Sequence, residues 1–152
     1  MPAMSDAEIE AVERAMVAIR RGQTRRTLAR LAAPGPGGAG AGFDVLDVIE
    51  AADQAGEPAT VSAVADALDV DRPRASRLVA AAVDAGLVRR VADQGDGRRV
   101  LLAPTRAGRE LVAQAHNQRR SVFAAAMGDW SEEDRAGFAR LLTRFVEALA
   151  AR

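Results

Sequence analysis

The arginines are the residues of this chain whose type and spacing best suit the binding of another molecule. Every basic residue is Arg, because the sequence contains no Lys. Arg74 and Arg77 lie three positions apart in a segment with helical spacing, so their side chains share one face. A guanidinium group fits the O6 and N7 atoms of guanine, or two phosphate oxygens, in bidentate geometry. We therefore expect a DNA-binding helix with contacts at Arg72, Pro73, Arg74, Ser76 and Arg77, the alternative being an ordinary solvated helix.

A second basic group lies in the Gly-containing turn between two β-prone segments, 87–91 and 99–103, which together predict a β-hairpin. An arginine at the tip of such a hairpin can enter the adjacent minor groove, where narrow A·T tracts concentrate negative potential. We expect Asp96 to act as an ion partner that fixes Arg98 or Arg89 before DNA binds. The predicted DNA-binding residues of the hairpin are Asp96, Arg98, Arg99 and Arg90.

The charged residues are unevenly distributed, although the 21 basic and 21 acidic side chains cancel. Residues 43–71 hold eight acids and no base, whereas residues 72–109 hold nine arginines against three aspartates, a surplus of six positive charges. A phosphate backbone responds to the local field and not to the net charge. The basic segment therefore favours a nucleic-acid partner, unless these charges only solvate the surface.

The sequence offers few residues for catalysis, redox chemistry, nucleotide binding or metal binding. The absence of Cys excludes disulfides, thiolate zinc sites, thiol nucleophiles and cysteine-based redox sensing. With one His, no Lys and no Tyr, catalysis has few candidate groups, so we do not expect an enzyme. The G-x-G-x-x-G pattern at 35–40 follows a helix and contains Pro36, so it does not predict a nucleotide site. The 93–97 loop has Gly where a calcium loop needs oxygen ligands, and we expect no metal and no cofactor.

At 152 residues, the chain has the length of one compact domain with helical extensions. Its apolar residues recur mostly at helical spacing, which predicts a mainly α fold with a small β-hairpin wing. We divide it into an N-terminal helix (1–31), a flexible Gly/Pro linker (32–42), a winged helix-turn-helix (43–104) and two C-terminal helices (105–152). No apolar run approaches the roughly 18 residues needed to cross a bilayer, so we expect a cytoplasmic protein without a membrane partner.

The terminal helices present more apolar surface than a short winged domain can bury. This excess predicts that they pair with a second copy of the chain, the alternative being packing within one chain. The expected dimerisation residues are Ile9, Val12, Met16, Ile19, Phe138, Leu141, Leu142, Phe145 and Leu149.

Residues 61–108 resemble the DNA-binding core of the MarR (multiple-antibiotic-resistance) regulators. The matching residues are Arg72, Pro73, Ser76, Arg77, Leu78 and Val79, then Gly86, Leu87, Val88 and Arg90, then Asp96 and Arg98, and finally Thr105 and Gly108. The flanking helices extend the resemblance over nearly the whole chain except the linker. Three features depart from the family pattern: Asp71 in place of a small polar cap, Pro104 in place of Leu, and a longer linker. We expect Pro104 to shorten the second strand of the hairpin.

The resemblance implies a homodimeric transcriptional regulator, most often a repressor, whose two recognition helices bind a palindromic operator in double-stranded DNA. It also implies a small-molecule effector between the dimer helices and the DNA-binding lobe. The candidate ligand contacts are Arg14, Arg20, His116 and Arg119, and His116 is otherwise explained as a surface or packing residue. The alternative function is a winged-helix protein-interaction module without sequence-specific DNA recognition, which Asp71, Asp84 and the acidic segment favour.

Overall fold

The computed structural model describes residues 5–32 and 39–152 of the chain. Its elements, in the order of the sequence, are α1 (Asp6–Ala32), α2 (Ala39–Ala55), α3 (Val61–Leu68), α4 (Arg72–Asp84), β1 (Val88–Ala92), β2 (Val100–Pro104), α5 (Arg106–Ala126) and α6 (Glu132–Ala150). The mainly α fold with a small hairpin is thereby confirmed. The chain divides into two compact units, Met1–Arg109 and Glu110–Arg152. In the described part of the chain, no helix is both long and apolar enough to cross a membrane.

The hydrophobic core of the first unit lies where α3 and α4 pack against α2. Its buried apolar residues are Val45, Leu46, Val48, Ile49, Ala59, Val64, Ala75, Val79, Ala82, Val88 and Leu102. The buried residues of α4 recur at intervals of four and three, which is the spacing of a single helical face. This core therefore holds one face of α4 inside the unit and leaves the opposite face to solvent.

The connection between α3 and α4 is a tight turn fixed by local hydrogen bonds. Thr60 caps α3, and its Oγ1 accepts a hydrogen bond from the Ala63 N–H at 3.1 Å. The chain reverses at Asp69, whose φ of 51° lies in the left-handed region that Asp tolerates better than most residues. Asp71 then caps α4, with Pro73 in the first turn where its missing N–H does no harm. These predicted caps make a helix-turn-helix.

The hairpin pairs β1 with β2 in antiparallel register, from Val88 opposite Pro104 to Ala92 opposite Val100. Both strands begin one residue later than the sequence predicted. We expected Pro104 to shorten β2, and this prediction is wrong. Pro104 occupies the last position of the strand, where no further ladder donor is needed. The Leu102 N–H donates to the Ala59 carbonyl oxygen at 2.8 Å, which ties the hairpin to the segment before α3.

The predicted linker, 32–42, overlaps a helix at each end. Ala32 is the last residue of α1, and α2 begins at Ala39, four residues before its predicted start, while residues 33–38 lie outside the described chain. Gly42 is buried in α2 and packs closely against Leu87, since a Cβ at this position would lie 2.7 Å from the Leu87 Cδ1. This glycine therefore serves close packing, whereas the Gly-rich composition predicted a flexible segment.

The entry into α5 is joined to the end of α4 through Thr105. The Thr105 Oγ1 donates to the Gly86 carbonyl oxygen at 2.6 Å and accepts from the Gly108 N–H at 3.1 Å. The Thr105 N–H donates to the Leu87 carbonyl oxygen at 3.0 Å. Gly108 is buried there, and a Cβ would collide with that same Leu87 oxygen. Two of the residues that carry the family resemblance thus fix the start of α5 beside the hairpin.

In the second unit, α6 begins after a cap and an aromatic contact. The Ser131 Oγ accepts a hydrogen bond from the Asp134 N–H at 3.0 Å. Three acids, Glu132, Glu133 and Asp134, lie in the first turn, where the helix dipole favours negative charge. The rings of Trp130 and Phe138 meet edge to face, with centroids 5.3 Å apart and planes at 80°. The predicted cap and helix are therefore present.

Candidate nucleic-acid interface

The exposed face of α4 carries all five residues predicted for the recognition helix. Arg72, Pro73, Arg74, Ser76 and Arg77 are exposed, whereas Ala75 and Val79 between and after them are buried. The arrangement follows from helical periodicity, because burying one face turns the positions between its members outward. The helix therefore presents three guanidinium groups to solvent from its N-terminal half, and their DNA contacts stay a prediction.

Asp71 places a carboxylate at the same end of α4. Its Oδ1 accepts a hydrogen bond from the Arg74 N–H at 2.7 Å, so the side chain is engaged in capping the helix. A carboxylate here also offsets the positive end of the helix dipole. This residue consequently stabilises α4 while adding one negative charge next to the arginines.

The tip of the hairpin is closed by four hydrogen bonds across residues 93–99. Asp93 donates its backbone N–H to the Arg99 carbonyl oxygen at 3.0 Å, and its Oδ1 accepts from the Gly95 N–H at 2.9 Å. The Asp96 carbonyl oxygen accepts from the Arg99 N–H at 3.0 Å, and the Asp96 Oδ1 accepts from the Arg98 N–H at 3.1 Å. This short loop is thus held by its own backbone and by two aspartate side chains.

The predicted role of Asp96 as an ion partner is wrong. Its carboxylate accepts a backbone N–H, and within the described residues it forms no ion pair with Arg98 or Arg89. The ion pair of the hairpin instead joins the Arg99 Nε to the Asp93 Oδ2 at 3.6 Å. Asp93 was not among the predicted hairpin residues, although the Asp-x-Gly spacing at 93–95 is typical of the Asx turn that it forms.

The remaining predicted hairpin residues are accessible. Arg98 and Arg99 are exposed at the tip, and Arg90 is exposed in β1, opposite Leu102 in the register. Arg89, beside it, is exposed as well. The hairpin therefore carries a group of exposed arginines in the same compact unit as α4.

The four candidate ligand contacts fall into separate groups. Arg14 and Arg20 lie on α1, where both are exposed, and Arg14 forms a surface ion pair with Glu10 at 3.6 Å. His116 and Arg119 lie one turn apart on α5, with the Arg119 Nη2 3.0 Å from the His116 Nδ1. A shallow, open depression in the second unit is lined instead by residues between 129 and 141, among them Trp130, and includes none of the four.

The residues predicted for dimerisation are mostly exposed in the single described chain. Ile19 on α1 is 52% exposed and Leu141 on α6 is 53% exposed, whereas Phe145 is half-buried. The other exposed members of the predicted set are Ile9, Val12, Met16, Phe138, Leu142 and Leu149. Val122, Phe123 and Val146 are also exposed, although they were not among the predicted residues. Exposed apolar side chains are therefore found on α1, α5 and α6.

Comparison with known proteins gives a family match for part of the chain. The MarR family model matches residues 40–99, which run from α2 to the tip of the hairpin. Over these residues the chain is similar to the MarR family. Members of this family are transcriptional regulators and not enzymes, and the chain has the fold of such a regulator.

The relatives of the chain agree with this assignment. YxaD of Bacillus subtilis, described as an uncharacterised HTH-type transcriptional regulator, is 30% identical over 91 residues, which are 60% of this chain and 64% of YxaD. A MarR family protein from Bacillus stearothermophilus has the same fold with a TM-score of 0.67 at 20% identity, over 97% of this chain and 99% of its own. S. aureus MepR bound to ethidium bromide gives a TM-score of 0.57 at 20% identity, over 92% and 95%. The MarR fold thus extends well beyond residues 40–99.

Proposed function

We propose that the chain is a homodimeric, sequence-specific DNA-binding transcriptional regulator of the MarR type, which represses transcription from a palindromic operator in the cytoplasm. The observation that carries this proposal is the exposed arginine face of α4, opposite the buried face that fixes the helix. The family assignment of residues 40–99 supports it. A mutant of MepR, which shares the fold, has been solved bound to an oligodeoxyribonucleotide, and this supports DNA as the partner.

The dimensions of α4 suit the major groove. A helix with its side chains is about 10–12 Å wide, and the major groove of B-DNA is about 12 Å wide. In this proposal α4 enters the groove by its N-terminal half while α3 braces it from behind. Arg74 and Arg77 then contact guanine edges or phosphates, and Arg98 extends from the hairpin into the neighbouring minor groove.

Dimerisation supplies the second recognition helix. The exposed apolar faces of α1 and α6 support it, because contiguous exposed apolar surface usually marks an interaction site. A two-fold symmetric dimer presents two copies of α4, and it therefore matches a palindrome whose half-sites lie about one helical turn apart. The operator symmetry in this proposal follows directly from the protein symmetry.

A small-molecule effector completes the proposal. MepR bound to ethidium supports an effector for this fold, and Arg14, Arg20, His116 and Arg119 are the proposed contacts here. An effector acts if it binds more tightly to a dimer whose recognition helices no longer match the groove spacing, since it can shift the equilibrium only by its differential affinity. Repression is then relieved without any contact between effector and DNA.

Selection of bound sequences from random duplex DNA tests the proposed function. The expected result is an enriched palindrome with half-sites about 10 base pairs apart, and with guanine at the positions nearest Arg74 and Arg77. The double variant Arg74→Gln/Arg77→Gln should lose this enrichment. The matched control Arg152→Gln, at the exposed C-terminal residue, should retain it. Enrichment of no motif, or of the same motif by both variants, contradicts the proposal.

The alternative, a protein-interaction module, is favoured by one observation. Acidic residues of α2 and α3, including Asp47, Asp53 and Asp66, are exposed, and they lie in the same unit as the arginines of α4. Competition between specific and mixed-sequence DNA separates the two functions. Binding that is indifferent to sequence and disappears at moderate salt would favour the interaction module.

A further inference from the structure

We propose that Asp93 positions the arginines of the hairpin by holding Arg99 in an intramolecular ion pair, so that Arg98 is the tip arginine that contacts DNA and Arg99 is withheld from it. The inference rests on the proposed function, since it specifies how the hairpin divides its charges during DNA binding. It revises the sequence prediction, which assigned DNA contacts to Arg98 and Arg99 alike.

Asp93 makes three contacts that place it at the base of the tip. Its N–H donates to the Arg99 carbonyl oxygen, its Oδ1 accepts from the Gly95 N–H, and its Oδ2 lies 3.6 Å from the Arg99 Nε. The Asp93 side chain is only 22% exposed, against 42% for that of Arg99. One aspartate therefore binds both the backbone and the guanidinium of the same residue, which fixes the Arg99 side chain beside the strand ends.

Arg98 differs from Arg99 in the contacts that the loop makes with it. Only its backbone N–H is engaged by the loop, through the Asp96 Oδ1 at 3.1 Å. The side chain is exposed, and within residues 5–32 and 39–152 it forms no ion pair. The loop thus fixes the position from which Arg98 projects but leaves its guanidinium available for a phosphate or a base edge.

The consequence for binding is a difference in counterion release. Each phosphate neutralised by an arginine contributes about 0.9 to the slope of log affinity against log salt. In this proposal an arginine held by an aspartate adds no phosphate contact to that slope, whereas a released arginine gains one. Neutralising Asp93 is therefore expected to add a cation to the interface, and to increase affinity for DNA of any sequence.

Salt-dependent binding to a fluorescent mixed-sequence duplex of about 30 base pairs, three helical turns, tests this assignment. For Arg98→Ala, the slope should become shallower by about 0.9 per protomer, which is about a 3.5-fold smaller loss of affinity over a fourfold rise in salt. For Arg99→Ala, the slope should not change. For Asp93→Asn, which keeps an acceptor oxygen for the Gly95 N–H, the slope should steepen by about 0.9 per protomer.

Asp96→Asn is the matched control, because it removes one negative charge from the same loop without releasing Arg99. The expected result is a smaller change of slope than for Asp93→Asn. The double variant Asp93→Asn/Arg99→Ala should return to the slope of Asp96→Asn, since the added cation is gone. A purely structural role for Asp93 would not produce this reversal.

Two results separate the inference from the proposed function. If the wild-type chain binds the duplex and Arg99→Ala reduces the slope as much as Arg98→Ala, the assignment of Arg99 is overturned while DNA binding stands. The assignment of Arg99 is also overturned, while DNA binding stands, if the salt slope for Asp93→Asn is no steeper than that for Asp96→Asn. If the wild-type chain binds no DNA, the proposed function and the inference fail together.

Discussion

Arg77 projects from the middle of the exposed face of α4, one turn after Arg74, while Val79 two residues on is buried in the core. Replacing Arg77 with Ala should weaken binding to the selected operator by about 1–3 kcal/mol, or roughly 5- to 150-fold, and relax one base position if the guanidinium contacts that base. Fluorescence anisotropy on the operator and on single-base variants measures both effects.

Arg77→Lys is the informative companion of this variant. It keeps the positive charge but lacks the two parallel donors, so base preference should fall while the salt slope stays the same. Equal affinity and equal base preference for the wild-type chain, Arg77→Ala and Arg77→Lys would contradict the proposed DNA contact of Arg77.

Glu8 has a lowered pKa, first because the Ser5 backbone N–H donates to its Oε2 at 2.9 Å and second because of the Ser5 side chain. A carboxyl with a lowered pKa in the folded chain stabilises that chain above the unfolded pKa, and this stabilisation is lost as the pH falls through the folded pKa. The N-terminus of α1 should therefore fray in acid. A carbon-detected NMR titration of the Glu8 carboxyl group should show a higher midpoint in Ser5→Pro, which lacks the donor. An unchanged midpoint would contradict this cap.

At the scale of the elements, Gly108 is the position where packing leaves least space. A Cβ would meet the Leu87 carbonyl oxygen and lie 3.0 Å from the Leu46 Cδ2. Gly108→Ala should therefore lower the free energy of unfolding by about 1–3 kcal/mol, because the start of α5 must shift from its contact with Leu87. Urea denaturation measures the loss.

The control for Gly108 is Gly22, a second glycine within a helix. A Cβ at Gly22 would meet no atom within 4 Å. Gly22→Ala should leave the free energy of unfolding unchanged or raise it by up to about 1 kcal/mol, since Ala loses less backbone entropy in a helix. Similar losses for both variants would show that helix context, and not the contact with Leu87, determines the effect.

The elements that the sequence predicted well are those set by local signals. Thr60, Asp71 and Ser131 each cap a helix through an N–H three residues ahead, so the pattern is visible in a short window. The start of α2 could not be predicted in this way, because Gly42 is explained by its contact with Leu87, 45 positions later. Composition alone favoured a flexible linker.

The candidate site could likewise be predicted from the sequence only in part. The exposure of the α4 arginines follows from helical periodicity, which the sequence shows directly. The partner of the hairpin arginines does not follow from it, because two aspartates three residues apart, Asp93 and Asp96, both lie within reach of the tip. Only the register of β1 and β2 brings Asp93 opposite Arg99 and leaves Asp96 to the backbone.

At the scale of the whole molecule, the proposed dimer depends on the exposed apolar face of α6. Leu141→Glu should convert the dimer to a monomer, because pairing would then bury an unmatched carboxylate. Analytical ultracentrifugation measures the change. Thr143→Glu adds the same group on the polar side of α6, so it should leave the assembly intact. A wild-type monomer, or an equal response of both variants, would contradict dimerisation through α6.

The spacing of the operator half-sites tests the central claim most directly. Two copies of α4 held at a fixed separation must find grooves on the same side of the duplex. Inserting about 5 base pairs, half a turn, between the selected half-sites should abolish high-affinity binding, and the affinity for each isolated half-site should stay unchanged. Affinity that is indifferent to the insertion would contradict the account, because independent protomers would then suffice to bind the site.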